Sequence, residues 1–248
     1  MRAARWIAVA LLAAASPLAA AGPEACKGTL YLTLDTGNMA AADAIAQTLQ
    51  RHDVRATFFL ANERTVRGDH ALDESWGAYW AARAGEGHAF GSHTWRHGSF
   101  LRDVAGGVAY RPQFPATGVE TLDANGVCAE LNRVDQAFRA ASGRGLDPLW
   151  RAPGGRTTPR ALAAAKSCGY DHVGWAAAGF LGDELPSDRY PNRALVDAAV
   201  RKLRDGDILM MHLGIWSRRD PYAPMLDELL TRLKARGFCF ATLRARAG

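Results

Sequence analysis

His93-Thr94-Trp95-Arg96-His97 carries two imidazoles four residues apart. At that spacing two side chains share one face of a helical turn, close enough to hold a single divalent cation. Taken alone the pair is weak, since two polar surface histidines would read the same way. Its setting gives it weight: a glycine-rich stretch, Gly87-His88-Ala89-Phe90-Gly91-Ser92, ends an apolar run and delivers the pair to its tip. Other residues able to do chemistry close apolar runs in the same manner. Asp35 ends 29–35, Arg151 ends 148–151, Trp175 ends 172–175 and His212 ends 207–212. A carboxylate can take a proton from a water activated beside a cation, and an imidazolium can give one to a leaving group. The set therefore points to metal-assisted attack of water on an acyl carbon.

Seven short apolar runs would position these groups, near 29–35, 55–60, 88–92, 148–151, 172–175, 207–212 and 238–243. Between them lie stretches with helical spacing at 40–49, 128–140, 159–166, 195–203 and 226–233. Alternating strands and helices predict one α/β domain with a parallel sheet, either a barrel or an open doubly wound sheet. In both, the C-terminal ends of the strands form the active face. Three long connections, 104–127, 176–191 and 213–224, read as irregular loops gathered on that rim. Cys26 and Cys239 fall at strand starts and Cys168 just before one, which places cysteines on the opposite face.

The 248 residues, 48% hydrophobic and 22% charged, suffice for one buried core and exclude a disordered chain or a disulfide-stapled miniprotein. Arg2 and Arg5 precede an apolar run and the small residues Ala19 to Ala21, the pattern of a signal peptide over residues 1–21 with cleavage near Ala21. Its removal leaves 227 residues, 22–248, as the catalytic domain and lowers the formal charge from +5 to +3. The expected location is periplasmic or secreted, with no stable membrane span after cleavage. The basic residues are dispersed, so no nucleic-acid partner is expected, and no sequence periodicity calls for an obligate protein partner. Four cysteines in an exported chain invite one or two disulfides, in any of three full pairings, and no C-x-x-C pair suggests a zinc ribbon.

Over essentially all of the expected mature chain the sequence resembles the polysaccharide deacetylases of carbohydrate esterase family 4, the NodB-homology domain. The family's T-F-D-D-G is met as Thr33-Leu34-Asp35-Thr36-Gly37, and H-[ST]-x-x-H in full by His93 to His97. R-x-P-[FY]-G is met as Arg151-Ala152-Pro153-Gly154-Gly155, a fourth motif by Asp171 to Trp175 with Asp183 beyond it, and L-x-H as Met210-Met211-His212. The resemblance implies a distorted (β/α)7 barrel that uses a divalent metal, usually zinc, bound by His93 and His97. It implies Asp35 as general base, His212 as general acid, Arg151 holding Asp35, and Asp183 orienting a basic partner. The backbone N–H at Gly154 would meet the oxyanion, with Trp175, Met210 and Trp216 against substrate.

Three positions depart from the family pattern. Thr36 stands where the family has its metal-binding aspartate, so Asp35 itself, Asn38 or waters would complete the shell, or the metal is weak or absent. Gly154 replaces a substrate-contacting aromatic, and Met210 replaces a leucine of similar volume. The expected activity is removal of N-acetyl, secondarily O-acetyl, groups from a glycan of the cell envelope. The alternatives are a non-catalytic glycan-binding relative with a degraded metal site, and an amidase acting on a small non-sugar amide. His52, His70 and His172 read as solvated or helix-capping groups, His88 as structural, and Trp76 and Trp80 as helix packing.

Overall fold

The first strand shows how the site is positioned. β1 (Gly28–Asp35) alternates in the sequence GTLYLTLD. Leu30, Leu32 and Leu34 pack under the surrounding helices. Successive side chains on a strand point to opposite faces, so Tyr31, Thr33 and Asp35 turn the other way, into the barrel. The computed structural model describes residues 26–246. After β1 come α1 (Ala42–Arg51), β2 (Thr57–Leu60), α2 (Gly77–Gly85), β3 (Ala89–Ser92), β4 (Ser99–Val104), β5 (Gly107–Arg111) and β6 (Glu120–Leu122). The remainder is α3 (Ala124–Ser142), β7 (Leu149–Trp150), α4 (Pro159–Ser167), β8 (Asp171–His172), α5 (Asn192–Lys202), β9 (Ile208–His212), α6 (Leu226–Ala235) and β10 (Phe238–Phe240).

Seven parallel strands run β10-β1-β2-β3-β7-β8, with β9 on the other edge of β1. No ladder joins β8 to β9. The segment after β8 bridges them instead, Ala176 N–H donating to Ile208 O (3.1 Å) and Leu181 N–H to Met210 O (3.2 Å). This is the distorted (β/α)7 barrel expected from the sequence. Its lower interior is apolar, built of Phe59, Leu149, Ile208 and Leu243. The turn Leu243–Arg246 plugs that end, Leu243 N–H donating to Thr57 Oγ1 at 2.9 Å.

Both cysteine pairs are oxidised. Cys26–Cys239 ties the chain before β1 to β10 at the strand-start face, and Cys128–Cys168 joins α3 to the end of α4. Trp76 and Trp80 are buried in the helix layer as expected. Among the described residues no helix is long and apolar enough to cross a membrane. The expected leader, 1–21, lies outside the described residues.

Two expectations are corrected. The connection 104–127 is not irregular: β4, β5 and β6 form an antiparallel sheet. Phe100, Val108 and Tyr110 bury one face of it against Val127, Leu131 and Trp150. A bulge between Phe100 and Arg102 breaks the alternation that would otherwise mark β4 as a strand. His172 is not solvated either. It lies in β8 with its ring edge-on to Trp150 (4.9 Å between centroids). Burial, helped by Arg151, pushes its pKa down to about 4.

Candidate active site

Asp35 and His212 are register partners on the adjacent strands β1 and β9, and both side chains enter one cavity of about 570 Å³. That volume lies within the range of small-molecule sites. Behind the cavity, Arg151 is wholly buried and spends its donors on fixed acceptors. Its Nη1 donates to Asp35 Oδ1 (2.9 Å) and Thr33 Oγ1 (2.7 Å), Nε to Val173 O (3.1 Å), and Nη2 to Gly174 O (3.0 Å). The guanidinium also lies over the Phe59 ring, 4.2 Å from its centroid. Burial alone would raise the Asp35 pKa, but Arg151, His93 and His212 outweigh it and hold the carboxyl below its ordinary range.

His212 has the opposite character. Its Nδ1 faces both oxygens of Asp183 at 3.2 Å, and its backbone N–H donates to Asp183 Oδ2 at 2.7 Å. Burial pulls the imidazole pKa down, yet Asp183, with help from Asp35, raises it to about 9. The imidazole is therefore charged at neutral pH and the carboxylate beside it ionised, an acid and a base with their pKa values pushed apart. Asp183 reaches this place from the bridging segment between β8 and α5.

The two histidines of the His93–His97 pair meet with ring centroids 4.9 Å apart, but not on a helical turn. The segment is a tight turn with Thr94 (φ 65°) and His97 (φ 47°) in the left-handed region. It is tied from outside: His93 N–H donates to Leu60 O (2.7 Å), Trp95 N–H to Glu130 O (2.9 Å) and Arg96 N–H to Glu130 Oε2 (2.9 Å). These bonds to neighbouring elements take the place of the helical ones. His93 Nδ1 lies 2.8 Å from Arg151 O, and His97 Nδ1 lies 2.6 Å from Gln113 Oε1. Carbonyl oxygens only accept, so each ring donates from Nδ1, which leaves Nε2 as the nitrogen available to a ligand. Burial pushes the His93 pKa down to about 4, so its ring is neutral at neutral pH.

Gly154 (φ 62°), Trp175 and Met210 line the same cavity, and Trp216 stands on its rim, 60% exposed. Gly155, also at positive φ (68°), is a required glycine: a Cβ there would come within 2.8 Å of Trp175. Asn38 Oδ1 accepts from Ala40 N–H (3.0 Å) and so serves its own turn. Thr36 is buried beneath the site, its hydroxyl accepting from Ala61 N–H (3.2 Å) and donating to Glu63 Oε1 (2.6 Å).

Glu63, Glu130 and Gln113 are absent from the sequence expectation. Glu63 follows β2 by three residues and so reaches the same rim as the strand-end residues, a positional signal without a motif. Glu130 falls within the buried stripe of α3 with Val127, Leu131, Val134 and Phe138, an acidic residue at an apolar position. Gln113 lies in the connection read as irregular and carries no signal of its own.

Residues 22–173, more than half of the chain, match the polysaccharide deacetylase family. An uncharacterised 30.6 kDa protein of Geobacillus stearothermophilus is 24% identical over 88% of this chain and 70% of its own length. A chitooligosaccharide deacetylase of Sinorhizobium fredii is 27% identical over 87% of this chain and 90% of its own. Some relatives are much longer: the chain spans 38% of the peptidoglycan-N-acetylglucosamine deacetylase PgdA of Listeria monocytogenes, at 24% identity over 86% of this chain. Among solved structures, a family 4 carbohydrate esterase from Streptomyces lividans superposes with a TM-score of 0.66 at 21% identity, covering 90% of this chain and 97% of the other. A family 4 pseudoenzyme from Bacillus anthracis superposes equally well, at 0.66 and 19% identity, over 88% and 65%. On the strength of the family match, the chain belongs to the polysaccharide deacetylases.

Proposed function

We propose that this chain is an exported, metal-dependent hydrolase that removes N-acetyl groups, and secondarily O-acetyl groups, from a glycan of the cell envelope. One observation carries the reading: an ionised Asp35 backed by Arg151 and a charged His212 backed by Asp183 stand on adjacent strands over one cavity. A pair with such opposed pKa values suits a reaction that first takes a proton and then gives one.

The residues present fit a divalent cation in donor type. In both His93 and His97 Nδ1 is fixed by a carbonyl oxygen, which leaves Nε2 as the nitrogen available to a metal. Among the described residues no three metal-binding side chains stand with their donors already gathered, so binding requires rotation of a side chain. When bound, the cation, zinc on this reading, would act as a Lewis acid toward water and the acetyl oxygen. Asp35 takes the proton of the attacking water, and Arg151 fixes the carboxylate in place. The N–H of Gly154, in a loop without a side chain to obstruct it, faces the developing oxyanion. His212 gives its Nε2 proton to the leaving amine, while Asp183 stabilises the imidazolium until then. Trp216, exposed on the rim, offers a face on which a sugar ring can stack.

The test is acetate release by the chain expressed from residue 22, metal-loaded, from N-acetylated chitooligosaccharides, peptidoglycan fragments and acetylated xylan, with a chelator control. Release that the chelator abolishes is expected. Saturable glycan binding without acetate release would sink the enzymatic reading, and turnover confined to small non-sugar amides would sink the glycan.

A further inference from the structure

Glu63 is a buried carboxylate, 6% exposed, whose two oxygens have different surroundings. Oε1 accepts from Thr36 Oγ1 (2.6 Å) and from Gly37 N–H (2.8 Å). Oε2 has no protein donor among the described residues and lies 3.8 Å from His97 Nδ1, whose proton is directed to Gln113. No lysine or arginine among the described residues pairs with Glu63, although the carboxylate lines the cavity together with His93 and His97. A buried carboxylate with one oxygen fixed and the other open is costly unless a cation completes it. Two imidazoles beside it, each engaged at Nδ1 and open at Nε2, make a divalent cation the matching partner.

We propose that Glu63 is the carboxylate ligand of the metal, supplied by the loop after β2 in place of the aspartate that the family carries at Thr36. Thr36 is then a positioning residue. Its hydroxyl and the Gly37 N–H hold Oε1 so that Oε2 faces the imidazoles, and the departure at position 36 is matched by a carboxylate arriving from the neighbouring strand. The backbone supports this approach: Asn62 N–H donates to Trp95 O (3.0 Å), which fastens the Glu63 loop directly to the His93–His97 turn. Of the other oxygen donors nearby, Asn38 is committed to its own turn, and Asp35, whose Oδ2 lies 3.6 Å from His93 Nε2, is the carboxylate that Arg151 holds as the base. The inference rests on the metal-dependent reading above but concerns binding alone.

The experiment titrates Zn²⁺ and Co²⁺ into chelator-stripped protein, read by calorimetry and by the visible absorption of bound Co²⁺, with no substrate present. Glu63→Gln is isosteric and keeps an acceptor for Thr36 and Gly37. It is expected to weaken binding by about 100-fold or more, beyond the ~10- to 100-fold loss typical of an outer-shell partner, with an unchanged circular dichroism spectrum. Unweakened binding by folded Glu63→Gln, or no binding by the wild type, would overturn the assignment. The double variant Thr36→Asp/Glu63→Gln keeps the test open should the single variant misfold. It should bind within about 10-fold of the wild type, because one carboxylate has replaced another. Binding about 100-fold tighter than wild type would mean that the native site lacks a protein carboxylate, and would overturn the proposal. Metal binding that depends on Glu63 in a protein that releases no acetate would defeat the deacetylase reading and leave this one standing.

Discussion

Replacing Asp183 by Asn tests the division of labour between acid and base. Asp183 is the chief cause that raises His212 to about 9 against the downward pull of burial. Without its charge the imidazole falls to its ordinary value of 6.5 or below. At about pH 8 the protonated fraction then drops from ~90% to ~3%, a loss of about 30-fold in kcat, while near pH 6 the two proteins differ by less than about 2-fold. The assay is the initial rate of acetate release from an N-acetylated chitooligosaccharide between about pH 5.5 and 10. An activated aryl acetate serves as control, since its leaving group departs without a proton and its hydrolysis should barely respond. An alkaline limb that stays in place, or an equal loss on both substrates at every pH, would refute the assignment of His212 as acid. The same shift links to folding. Because the folded-state pKa is the higher one, the pair's contribution to stability is complete below about pH 6.5 and lost as pH rises through about 9.

Arg151→Met should destabilise the fold by about 3–5 kcal/mol in urea unfolding, because Asp35 is left buried without its guanidinium. Arg151→Met/Asp35→Leu should recover most of that loss, and a double variant as unstable as the single one would contradict the account. Removing Cys26–Cys239, which spans 213 residues, should cost about 1.5 kcal/mol more than removing Cys128–Cys168, which spans 40, on loop-entropy grounds. Guanidinium unfolding of the paired Cys→Ser variants measures the difference, and equal losses would show that chain entropy does not set it.

Asp35, His93, Arg151 and His212 are legible because each obeys a local rule, the last or next residue of a buried strand, and His97 because it follows His93 at the spacing of a metal-binding pair. Alternation along β1 and β9 then obliges Asp35 and His212 to face the same interior. Glu63 obeys no such rule. Its role arises from a bond to Thr36 across two strands, and Thr36 read alone looks like the loss of a ligand. The spacing of His93 and His97 suggests a helical turn, whereas bonds to Leu60 and Glu130 impose left-handed residues that the spacing does not reveal. The β4–β6 sheet was hidden by its bulge and by strands as short as the three residues of β6.

The plug at Leu243–Arg246 and the Cys26–Cys239 bridge place both ends of the described chain at one pole of the barrel, and the cavity opens at the other. A tether, tag or surface attachment at either end therefore holds the molecule by its base. Such a molecule presents its cleft outward, and both ends can be fixed at once without crossing the rim.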